Sequence, residues 1–407
     1  MKKKIVDTNI LMNYPSIVKE DNIVIATDIL RELDGLKLNI NPETAFQARR
    51  AAIYISRHLN NIEFNKDYEK KVIPVDDKLL LLTSDYSKYG AEATLITNDV
   101  YLKVRAAAEN ISTEGYQEQS EYTGIYYWTI EVDSSMYNKD FEMFLDTKRP
   151  LNFMNLKENQ YIIVKSTNGD SLGIYQWRGG EIRQVEIKPI KNAWINKITP
   201  RNDEQICLVD ALYNKSATVL YAGGPFGAGK SILTNSYALQ QLEKGDIRKI
   251  VFIPNNAYVR NSMEIGLLPG TSLDKTLPLV GPLLDIVGTD QINQLISMDQ
   301  LEIIPMAYLR GRNFDDTIII VNEAQNLDSD HIKLLIGRVG NNSRIFFDGS
   351  QKQVDSELFK NKSGIRALLN IVDSPYKDLF TTVTLKDIER SRTAQIADFL
   401  DSIDGTS

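Results

Sequence analysis

The stretch Gly224-Pro225-Phe226-Gly227-Ala228-Gly229-Lys230-Ser231 follows the pattern GxxxxGK[ST] and decides the fold of the C-terminal half of the chain. A β-branched apolar run, residues 218–222, precedes it, and a helical pattern over residues 231–241 follows it. Glycines in such a strand–loop–helix unit let backbone N–H groups face a phosphate, and the helix N-terminus adds partial positive charge. Lys230 is predicted to meet the β- and γ-phosphates, and Ser231 to offer its hydroxyl to Mg²⁺. The stretch therefore predicts a nucleotide-binding P-loop.

A P-loop also needs an acidic group at the end of a neighbouring strand, to hold magnesium and orient the attacking water. Residues 318–326 provide an apolar run followed by polar residues, as at the carboxyl end of a buried parallel strand. Glu323 is the predicted general base. Asn322 stands where an aspartate is usual, and its amide oxygen carries no charge. We therefore expect weaker magnesium binding and slower hydrolysis.

The overall composition limits the other possibilities. The chain has 407 residues, 43% hydrophobic and 25% charged, which predicts two or three folded domains. One cysteine, Cys207, excludes an internal disulfide and a cysteine-built zinc site and fits a reducing cytosol, and only His58 and His331 could serve histidine catalysis. No apolar run is long enough for a signal peptide or a membrane span, so we expect a cytoplasmic protein without membrane contact. The net charge of −7 argues against a surface coated in basic patches.

Three regions of the chain differ in pattern. Residues 1–119 and 196–407 alternate β-branched runs with helical patterns, which predicts an α/β fold with parallel sheets in both. Residues 120–195 are rich in aromatic and β-branched runs broken by turn residues at 168–170 and 179–180, which predicts a small β-rich module with hairpins. The alternative for this middle region is a partly ordered linker.

Several elements are predicted within these regions. In the first, strands are expected at residues 4–6 and 94–96 and a helix at 43–59. In the last, the predicted strands cover residues 218–221, 249–253, 317–321, 344–347 and 381–385.

Acidic residues follow the predicted strands of the N-terminal region. Asp7 and Asp99 each come just after an apolar strand, so their carboxylates should project from the same edge of a parallel sheet. Clustered carboxylates repel each other unless a cation compensates, and oxygen ligands favour Mg²⁺ or Mn²⁺. Such a site can activate water for attack on a phosphate. The alternative is that these acids only cap helices.

The C-terminal region resembles the PhoH-like ATPases, relatives of superfamily-one RNA helicases with a RecA-like fold. The resemblance covers about residues 199–400 and is carried by the P-loop and three later segments in the family's order. Those segments are Gly266-Leu267-Leu268-Pro269-Gly270, Tyr308-Leu309-Arg310-Gly311-Arg312-Asn313 and Asn322-Glu323-Ala324-Gln325-Asn326. PhoH-like ATPases resemble ring-forming motors, which implies a homo-hexamer.

The resemblance also implies roles for residues outside the P-loop. Gln205 would read the adenine of ATP. Arg390, in the stretch from Asp387, would reach the γ-phosphate, with Arg392 as the alternative and a solvated helix face as the simpler explanation. Arg310 and Arg312 would contact phosphates of nucleotide or RNA, the alternative being a structural salt bridge.

Two positions depart from the family pattern. Asn322 replaces an aspartate, and Ser350 replaces the aspartate of the family's Gly-Asp-x-x-Gln segment. Both changes remove acid near the γ-phosphate. ATP binding is still expected, while efficient hydrolysis and helicase action are open.

The N-terminal region resembles a PIN domain over about residues 2–116. The resemblance rests on Asp7-Thr8-Asn9, on Glu32-Leu33-Asp34-Gly35-Leu36-Lys37 and on Thr97-Asn98-Asp99. It implies a single-strand-directed ribonuclease, and fusion to a PhoH-like ATPase is itself a family arrangement. The implied metal-site residues are Asp7, Glu32, Asp77 and Asp99, with Asp76 as an alternative to Asp77 and with Thr8, Asn9 and Thr97 in support.

Together these features predict an ATP-dependent enzyme that processes single-stranded RNA, with Mg²⁺ as cofactor and Mn²⁺ as an alternative at the nuclease site. Trp128, Tyr161 and Trp177 of the middle module are predicted either to stack RNA bases or to be core residues. One alternative is a nucleotide-gated nuclease or RNA-binding assembly that binds ATP but barely hydrolyses it. Another is a helicase or RNA-binding scaffold with a silent PIN site.

Overall fold

The structure is a computed structural model that describes residues 2–69, 71–116, 122–130, 135–146, 152–254, 280–350 and 363–387. The chain divides into two compact units, residues 1–121 with 151–156, and residues 122–150 with 157–407. Among the described helices, none is both long enough and apolar enough to cross a membrane.

The first unit is a five-stranded parallel sheet with helices around it. Its strands are β1 (Lys3–Val6), β2 (Ile23–Ala26), β3 (Ile62–Asn65), β4 (Ala93–Ile96) and β5 (Thr113–Glu114), in the order β3-β2-β1-β4-β5. Its helices are α1 (Thr8–Asn13), α2 (Thr27–Leu36), α3 (Pro42–Arg57), α4 (Val75–Lys88) and α5 (Val100–Ala108). The two predicted strands and the predicted helix are confirmed, each end within about two residues, the usual uncertainty of a boundary.

Local sequence explains why these elements begin where they do. The run from Ile23 to Ala26 is buried along its whole length, as expected of a parallel strand covered on both faces. Helix α3 begins after Asn41, whose side-chain oxygen accepts the N–H of Glu43 at 2.9 Å, and Pro42 occupies the first helical position. Adjacent strands β1 and β4 end at the same edge, and there Asp7 and Asp99 precede α1 and α5.

The middle region folds as a four-stranded mixed sheet and belongs to the second compact unit. Its strands are β6 (Ile125–Ile130), β7 (Tyr161–Ser166), β8 (Ser171–Arg178) and β9 (Glu181–Gln184), with α6 (Ser135–Leu145) between the first two. The two predicted hairpins are confirmed, because β7-β8 and β8-β9 pair antiparallel across the predicted turns. A short antiparallel pair follows, β10 (Ile190–Asn192) with β11 (Asn196–Ile198). The strands of this region exclude the linker alternative for the residues that they cover.

Two of the three aromatic residues of this sheet that were candidates for base stacking are core residues. Trp128 is 6% exposed and Tyr161 is fully buried, so the stacking hypothesis is wrong for both, because neither ring face is open to a base. Trp177 is half-buried. Tyr161 packs in one hydrophobic cluster with Cys207 and Leu208, so this sheet shares its core with the P-loop region.

The second unit is built on a six-stranded parallel sheet. Its strands are β12 (Val219–Gly223), β13 (Lys249–Ile253), β14 (Leu301–Ile303), β15 (Thr317–Val321), β16 (Arg344–Gly349) and β17 (Phe380–Thr384), in the order β14-β13-β15-β16-β12-β17. The helices around it are α7 (Asp203–Tyr213), α8 (Lys230–Glu243), α9 (Gly281–Val287), α10 (Thr289–Ser297), α11 (Ser329–Ile336) and α12 (Gly364–Leu369). All five strands predicted for this region are confirmed, with ends shifted by about two residues at most. The edge strand β14 escaped prediction because three residues are too short to show a period.

Candidate functional site

The P-loop has a backbone that only glycine can supply at two positions. Gly224 has φ 131°, and a Cβ there would lie 2.3 Å from the carbonyl oxygen of Leu385. Gly229 has φ 97°, and a Cβ there would lie 2.8 Å from Nε2 of Gln205. Both positions combine left-handed backbone with close approach of another group, so the glycines allow the loop to form.

The charge of the P-loop lysine is held inside the loop. Lys230 Nζ donates to the carbonyl oxygens of Gly224 at 2.7 Å and Pro225 at 2.8 Å. It also lies 3.9 Å from Oδ1 of Asp348. The side chain is 7% exposed, so its position is fixed by these oxygens and not by solvent.

Asp348 is a site residue that the sequence analysis missed. It lies near the end of β16, and its Oδ2 accepts a hydrogen bond from the hydroxyl of Ser231. The carboxylate is 4% exposed, and burial raises its pKa above the ordinary range, against the opposing effects of Lys230 and the Ser231 hydrogen bond. The sequence signal for it is an acid that directly follows the apolar run from Ile345 to Phe347.

A cavity of about 440 Å³ opens beside the P-loop. It is lined by Lys197, Ile198, Thr199, Arg201, Gln205, Phe226, Gly227, Gly229, Lys230, Ser231, Ile232 and Leu233. The structure thus brings the predicted adenine-reading residue together with the P-loop. Gln205 is buried, accepts the N–H of Arg201 at 2.9 Å and donates to the carbonyl oxygen of Ala228 at 2.9 Å.

A larger cavity of about 640 Å³ lies at the opposite edge of the same sheet. Its lining includes Thr218, Ile318 and Arg344, which stand at the amino ends of strands. The Arg344 guanidinium is held by backbone carbonyl oxygens, including that of Ala217 at 3.1 Å. Ligands of open α/β sheets bind at the carboxyl ends of strands, so the smaller cavity is the candidate site.

The segment after β15 is tied to the segment after β16. Glu323 is in the left-handed region, with φ 53° and ψ 47°, an uncommon backbone for this residue type. Gln325 donates to Glu323 Oε2 at 2.5 Å and accepts the backbone N–H of Ser350 at 3.1 Å. A Cβ on Gly349 would lie 2.6 Å from Gln325 Oε1, so glycine lets this bridge form. The side chain of Gln325 therefore joins Glu323, the predicted base, to Ser350, one of the two departures from the family pattern.

The start of the predicted arginine segment is anchored at the nucleotide-binding end of α7. Glu204 Oε2 accepts the backbone N–H of Lys386 at 2.5 Å and of Asp387 at 3.3 Å, and its other oxygen accepts the hydroxyl of Tyr127. Glu204 is 5% exposed and precedes Gln205. Arg390, Arg392 and the Gly266–Gly270 segment lie outside the described residues.

The structure does not bring the two remaining arginines to the P-loop cavity, since neither lines it. Arg312 Nη2 donates to both carboxylate oxygens of Glu302, at 2.9 and 3.0 Å, and the guanidinium stacks over Phe314 at 5.1 Å. That geometry matches the salt-bridge alternative. Arg310 is exposed, and no hydrogen bond or ion pair joins it to the described part of the chain.

The acidic site of the first unit is centred on Asp7. The carboxylate is 5% exposed, and its Oδ2 accepts the Thr97 hydroxyl at 2.8 Å. Burial raises the pKa of Asp7, repulsion from Asp76 adds to the rise, and hydrogen bonds from Thr97 and from backbone N–H groups oppose it. The site thus holds a buried carboxylate that accepts hydrogen bonds from neutral donors and is repelled by a second acid.

The other predicted acids lie around this carboxylate with different partners. Glu32 Oε2 accepts a hydrogen bond from the hydroxyl of Thr8 at 2.6 Å, and Thr8 directly follows Asp7 in the sequence. Asp99 caps α5 by accepting the N–H of Leu102 at 2.9 Å, and its own N–H donates to the Thr97 hydroxyl at 3.0 Å.

The neighbouring acids on α4 face different groups. Asp77 is half-buried and pairs with Arg105, whereas Asp76 is exposed and is the acid whose charge acts on Asp7. Residues 76 and 77 are about 100° apart around a helix, so the two side chains point in different directions.

The fit of this site to a metal ion is partial. Within the described ranges, no three acid, histidine or cysteine side chains stand close enough to form a ligand group. A buried carboxylate repelled by a second acid nevertheless suits a divalent cation, and Mg²⁺ often takes only one or two carboxylates and keeps several waters. Asp7 is therefore the one buried carboxylate of this site that could contribute to a magnesium site, without a complete set of protein ligands in the described part of the chain.

Known proteins resemble this chain over both units. A family model described as PhoH-like protein matches residues 197–400, and one described as PIN domain matches residues 4–117. The chain is 24% identical to Protein PhoH2 of Thermobispora bispora, over 96% of this chain and 94% of that one. It is also 24% identical to Protein PhoH2 of Bacillus subtilis, over 97% and 98%.

Two further matches each cover about half of the chain. A PhoH-like protein of Mycobacterium tuberculosis is 30% identical over 48% of this chain and 55% of its own length. A crystal structure of Pif1 helicase from Candida albicans matches with 14% identity and a TM-score of 0.26, covering 50% of this chain and 43% of that chain. That TM-score is too low to establish a shared fold.

Proposed function

The chain belongs to the PhoH-like protein family and carries a PIN domain ahead of its P-loop region, and from that premise we propose that it is an ATP-dependent RNA-processing enzyme. In this proposal the PIN domain is a metal-dependent endoribonuclease and the P-loop region an ATPase that moves or opens RNA. The observation that carries the proposal is the cavity at the carboxyl edge of the six-stranded sheet, lined by the P-loop and Gln205.

The groups around the P-loop support ATP binding. Lys230 now donates to two loop carbonyl oxygens, and a bound phosphate would offer it charged acceptors in their place. The start of α8 at Lys230 adds the partial positive charge of a helix N-terminus. Gln205 lines the same cavity and would turn its amide to the adenine. Glu323, at the carboxyl end of β15, would act as the general base toward water.

The groups around Asp7 support a nuclease site. When bound, a divalent cation would supply positive charge to the cleaved phosphate and lower the pKa of a bound water. Asp7 would hold that ion, and the Thr97 hydroxyl would set the orientation of the Asp7 carboxylate. Glu32 and Asp99 would complete the surrounding polar shell. Asp76 fits this shell better than Asp77, because Asp77 is paired with Arg105.

The proposal extends to organisation and partners. We assign residues 1–119 to the nuclease, 120–195 to the β-rich module and 196–407 to the ATPase, with single-stranded RNA as the substrate. The family resemblance to ring motors supports a homo-hexamer, and the lack of a described membrane-spanning helix is compatible with a cytoplasmic enzyme.

A second candidate function is favoured by the two departures from the family pattern. Asn322 and Ser350 carry no charge where acids are usual, so the region would bind ATP and hydrolyse it slowly. The chain would then be a nuclease gated by nucleotide binding, without motor action.

The deciding experiment measures ATP hydrolysis with Mg²⁺, with and without single-stranded RNA, for the parent, Lys230→Ala and Asn322→Asp. RNA-stimulated hydrolysis that is lost in Lys230→Ala supports the motor. Absence of hydrolysis in the parent, with hydrolysis gained in Asn322→Asp, supports the nucleotide-gated nuclease instead.

A parallel assay follows cleavage of end-labelled single-stranded RNA in Mg²⁺ or Mn²⁺. Cleavage should be lost in Asp7→Asn and kept in Asp34→Asn, a matched change at an exposed acid of the same unit. Equal cleavage by parent and Asp7→Asn would remove the nuclease from the proposal.

A further inference from the structure

We propose that Asp348 has taken over the magnesium-orienting role of the aspartates that Asn322 and Ser350 replace. The inference rests on the proposed binding of ATP at the P-loop. It assigns the negative charge that Asn322 and Ser350 lack to strand β16. This strand lies between the P-loop strand β12 and strand β15, which precedes Glu323.

The position of Asp348 in the sheet is the first support. Strand β16 pairs with β12 on one side and with β15 on the other, and Asp348 is opposite Ala222 of β12. Asn322 follows Val321, whose partner on β16 is Phe347, so Asn322 and Asp348 stand at the same level of neighbouring strands. The shift from β15 to β16 brings the acid about 4.8 Å nearer to the P-loop strand.

The contacts of Asp348 are the second support. Its Oδ2 accepts the hydroxyl of Ser231, the group expected to bind Mg²⁺ beside the phosphates. Its Oδ1 is 3.9 Å from Lys230 Nζ, beyond hydrogen-bond range. One carboxylate oxygen therefore keeps acceptor capacity next to the predicted metal-binding hydroxyl.

The two family positions lack these contacts. Ser350 uses its backbone N–H to bind Gln325 Oε1, and its short side chain carries no charge. Asn322 has an amide in place of a carboxylate and donates its backbone N–H to Ile253. Of the residues at these three positions, Asp348 is the one that has both a negative charge and contact with Ser231.

A structural role for Asp348 is the competing explanation. The carboxylate would then only hold Ser231 and Lys230 in place. The two roles predict different effects of Asp348→Asn, which keeps the shape and an acceptor oxygen but removes the charge.

The test measures the Kd of a fluorescent ATP analogue for the full chain, once with Mg²⁺ and once with EDTA. We expect Mg²⁺ to tighten binding to the parent, and we expect Asp348→Asn to lose about tenfold of that tightening, equivalent to 1.4 kcal/mol. Ser231→Ala should reduce it similarly, and the double variant should lose little more, because the two groups act together. Asp373→Asn, at an exposed acid of the same unit, is the matched control and should behave as the parent.

The alternative outcomes are separable. If Asp348→Asn changes the Kd in Mg²⁺ and in EDTA by the same factor, the carboxylate only holds Ser231 and Lys230 in place and the inference is wrong. If the parent binds no ATP in either condition, the proposed function fails and this inference fails with it. Thermal melting of each variant shows whether it is folded, and if Asp348→Asn does not fold, Asp348→Ser, which removes the charge with a smaller side chain, decides the question by the same ratio.

Discussion

The P-loop cavity and the acidic site around Asp7 both lie at the carboxyl edge of a parallel sheet, but they are built in different ways. The P-loop site is made largely of backbone, and its charged groups already have partners, with Lys230 on two carbonyl oxygens and near Asp348. The acidic site is made of side chains, and the charge of Asp76 repels that of Asp7. The charged groups of the first site are therefore paired within the protein, while the second site holds a buried carboxylate whose side-chain hydrogen-bond partner is the neutral Thr97 hydroxyl.

The largest expected effect is at the P-loop. Lys230→Ala removes the positive charge that would face the phosphates, and loss of one such group lowers catalysis by roughly 10²–10³-fold. ATP hydrolysis should fall by that factor, while metal-dependent cleavage of RNA in the absence of nucleotide should stay near the parental rate. An equal loss of both activities would show that the two sites do not act as separate centres.

The next effect is at the acidic site. A bound metal ion supplies several kcal/mol of transition-state stabilisation, so Asp7→Asn should lower RNA cleavage by about 100-fold or more. The Kd for ATP should be unchanged. A drop in ATP affinity in this variant, with cleavage intact, would reverse the assignment of the two sites.

A third prediction concerns pH and metal. Burial raises the pKa of Asp7 above its ordinary value of 3.8, so the folded protein keeps a proton there after the unfolded chain has lost it. Stability contributed by Asp7 should therefore fall as the pH rises from about 3.8 through the folded-state pKa. Asp7→Asn should lack this fall.

At neutral pH, bound Mg²⁺ should restore the stability that is lost when Asp7 ionises. At Mg²⁺ concentrations about 100 times its Kd, binding stabilises the folded state by about 2.7 kcal/mol. In thermal melting, Mg²⁺ should raise the Tm of the parent and leave the Tm of Asp7→Asn unchanged. The same rise in both proteins would mean that the cation binds elsewhere.

How far the sequence alone predicts each site follows from the same difference. Glycine spacing and apolar periodicity predicted the P-loop and its flanking strand and helix, because the conformation of such a loop depends on residues that are close together in the sequence. Asp348 escaped because its contact with Ser231 depends on which strand lies beside β12, and β16 comes more than a hundred residues later. Strand order is a property of tertiary packing and not of local pattern.

The acids of α4 show the same limit on a smaller scale. Asp76 and Asp77 are adjacent in sequence, and which of them faces Asp7 depends on where α4 begins and how it is rotated. No periodic pattern before Val75 fixes that start. The positions of Asp7 and Asp99 could be predicted from the sequence. Each acid follows a parallel strand, and parallel strands bring their carboxyl ends to the same edge of a sheet.

A matched pair of glycines tests how much of the P-loop site is backbone. Gly229 and Gly245 both have positive φ, 97° and 72°, but only Gly229 would bring a Cβ against another group. Left-handed backbone costs an L-residue about 1–2 kcal/mol, so both alanine variants should lose stability of that order by thermal melting. Gly229→Ala should also weaken ATP binding by displacing Gln205, whereas Gly245→Ala should leave the Kd unchanged. Equal ATP affinity in both would mean that the loop tolerates the displacement of Gln205.

The smallest expected effect separates the two acids of α4. Asp77→Asn breaks the ion pair with Arg105, in which the two side chains are 34% and 45% exposed, and such surface pairs contribute less than about 1 kcal/mol. RNA cleavage and the Mg²⁺-dependent rise in Tm should therefore remain close to parental in Asp77→Asn. Asp76→Asn removes the charge that acts on Asp7, so it should weaken Mg²⁺ binding and reduce the rise in Tm. The reverse ranking would place Asp77 at the metal and would mean that its pairing with Arg105 gives way when the ion binds.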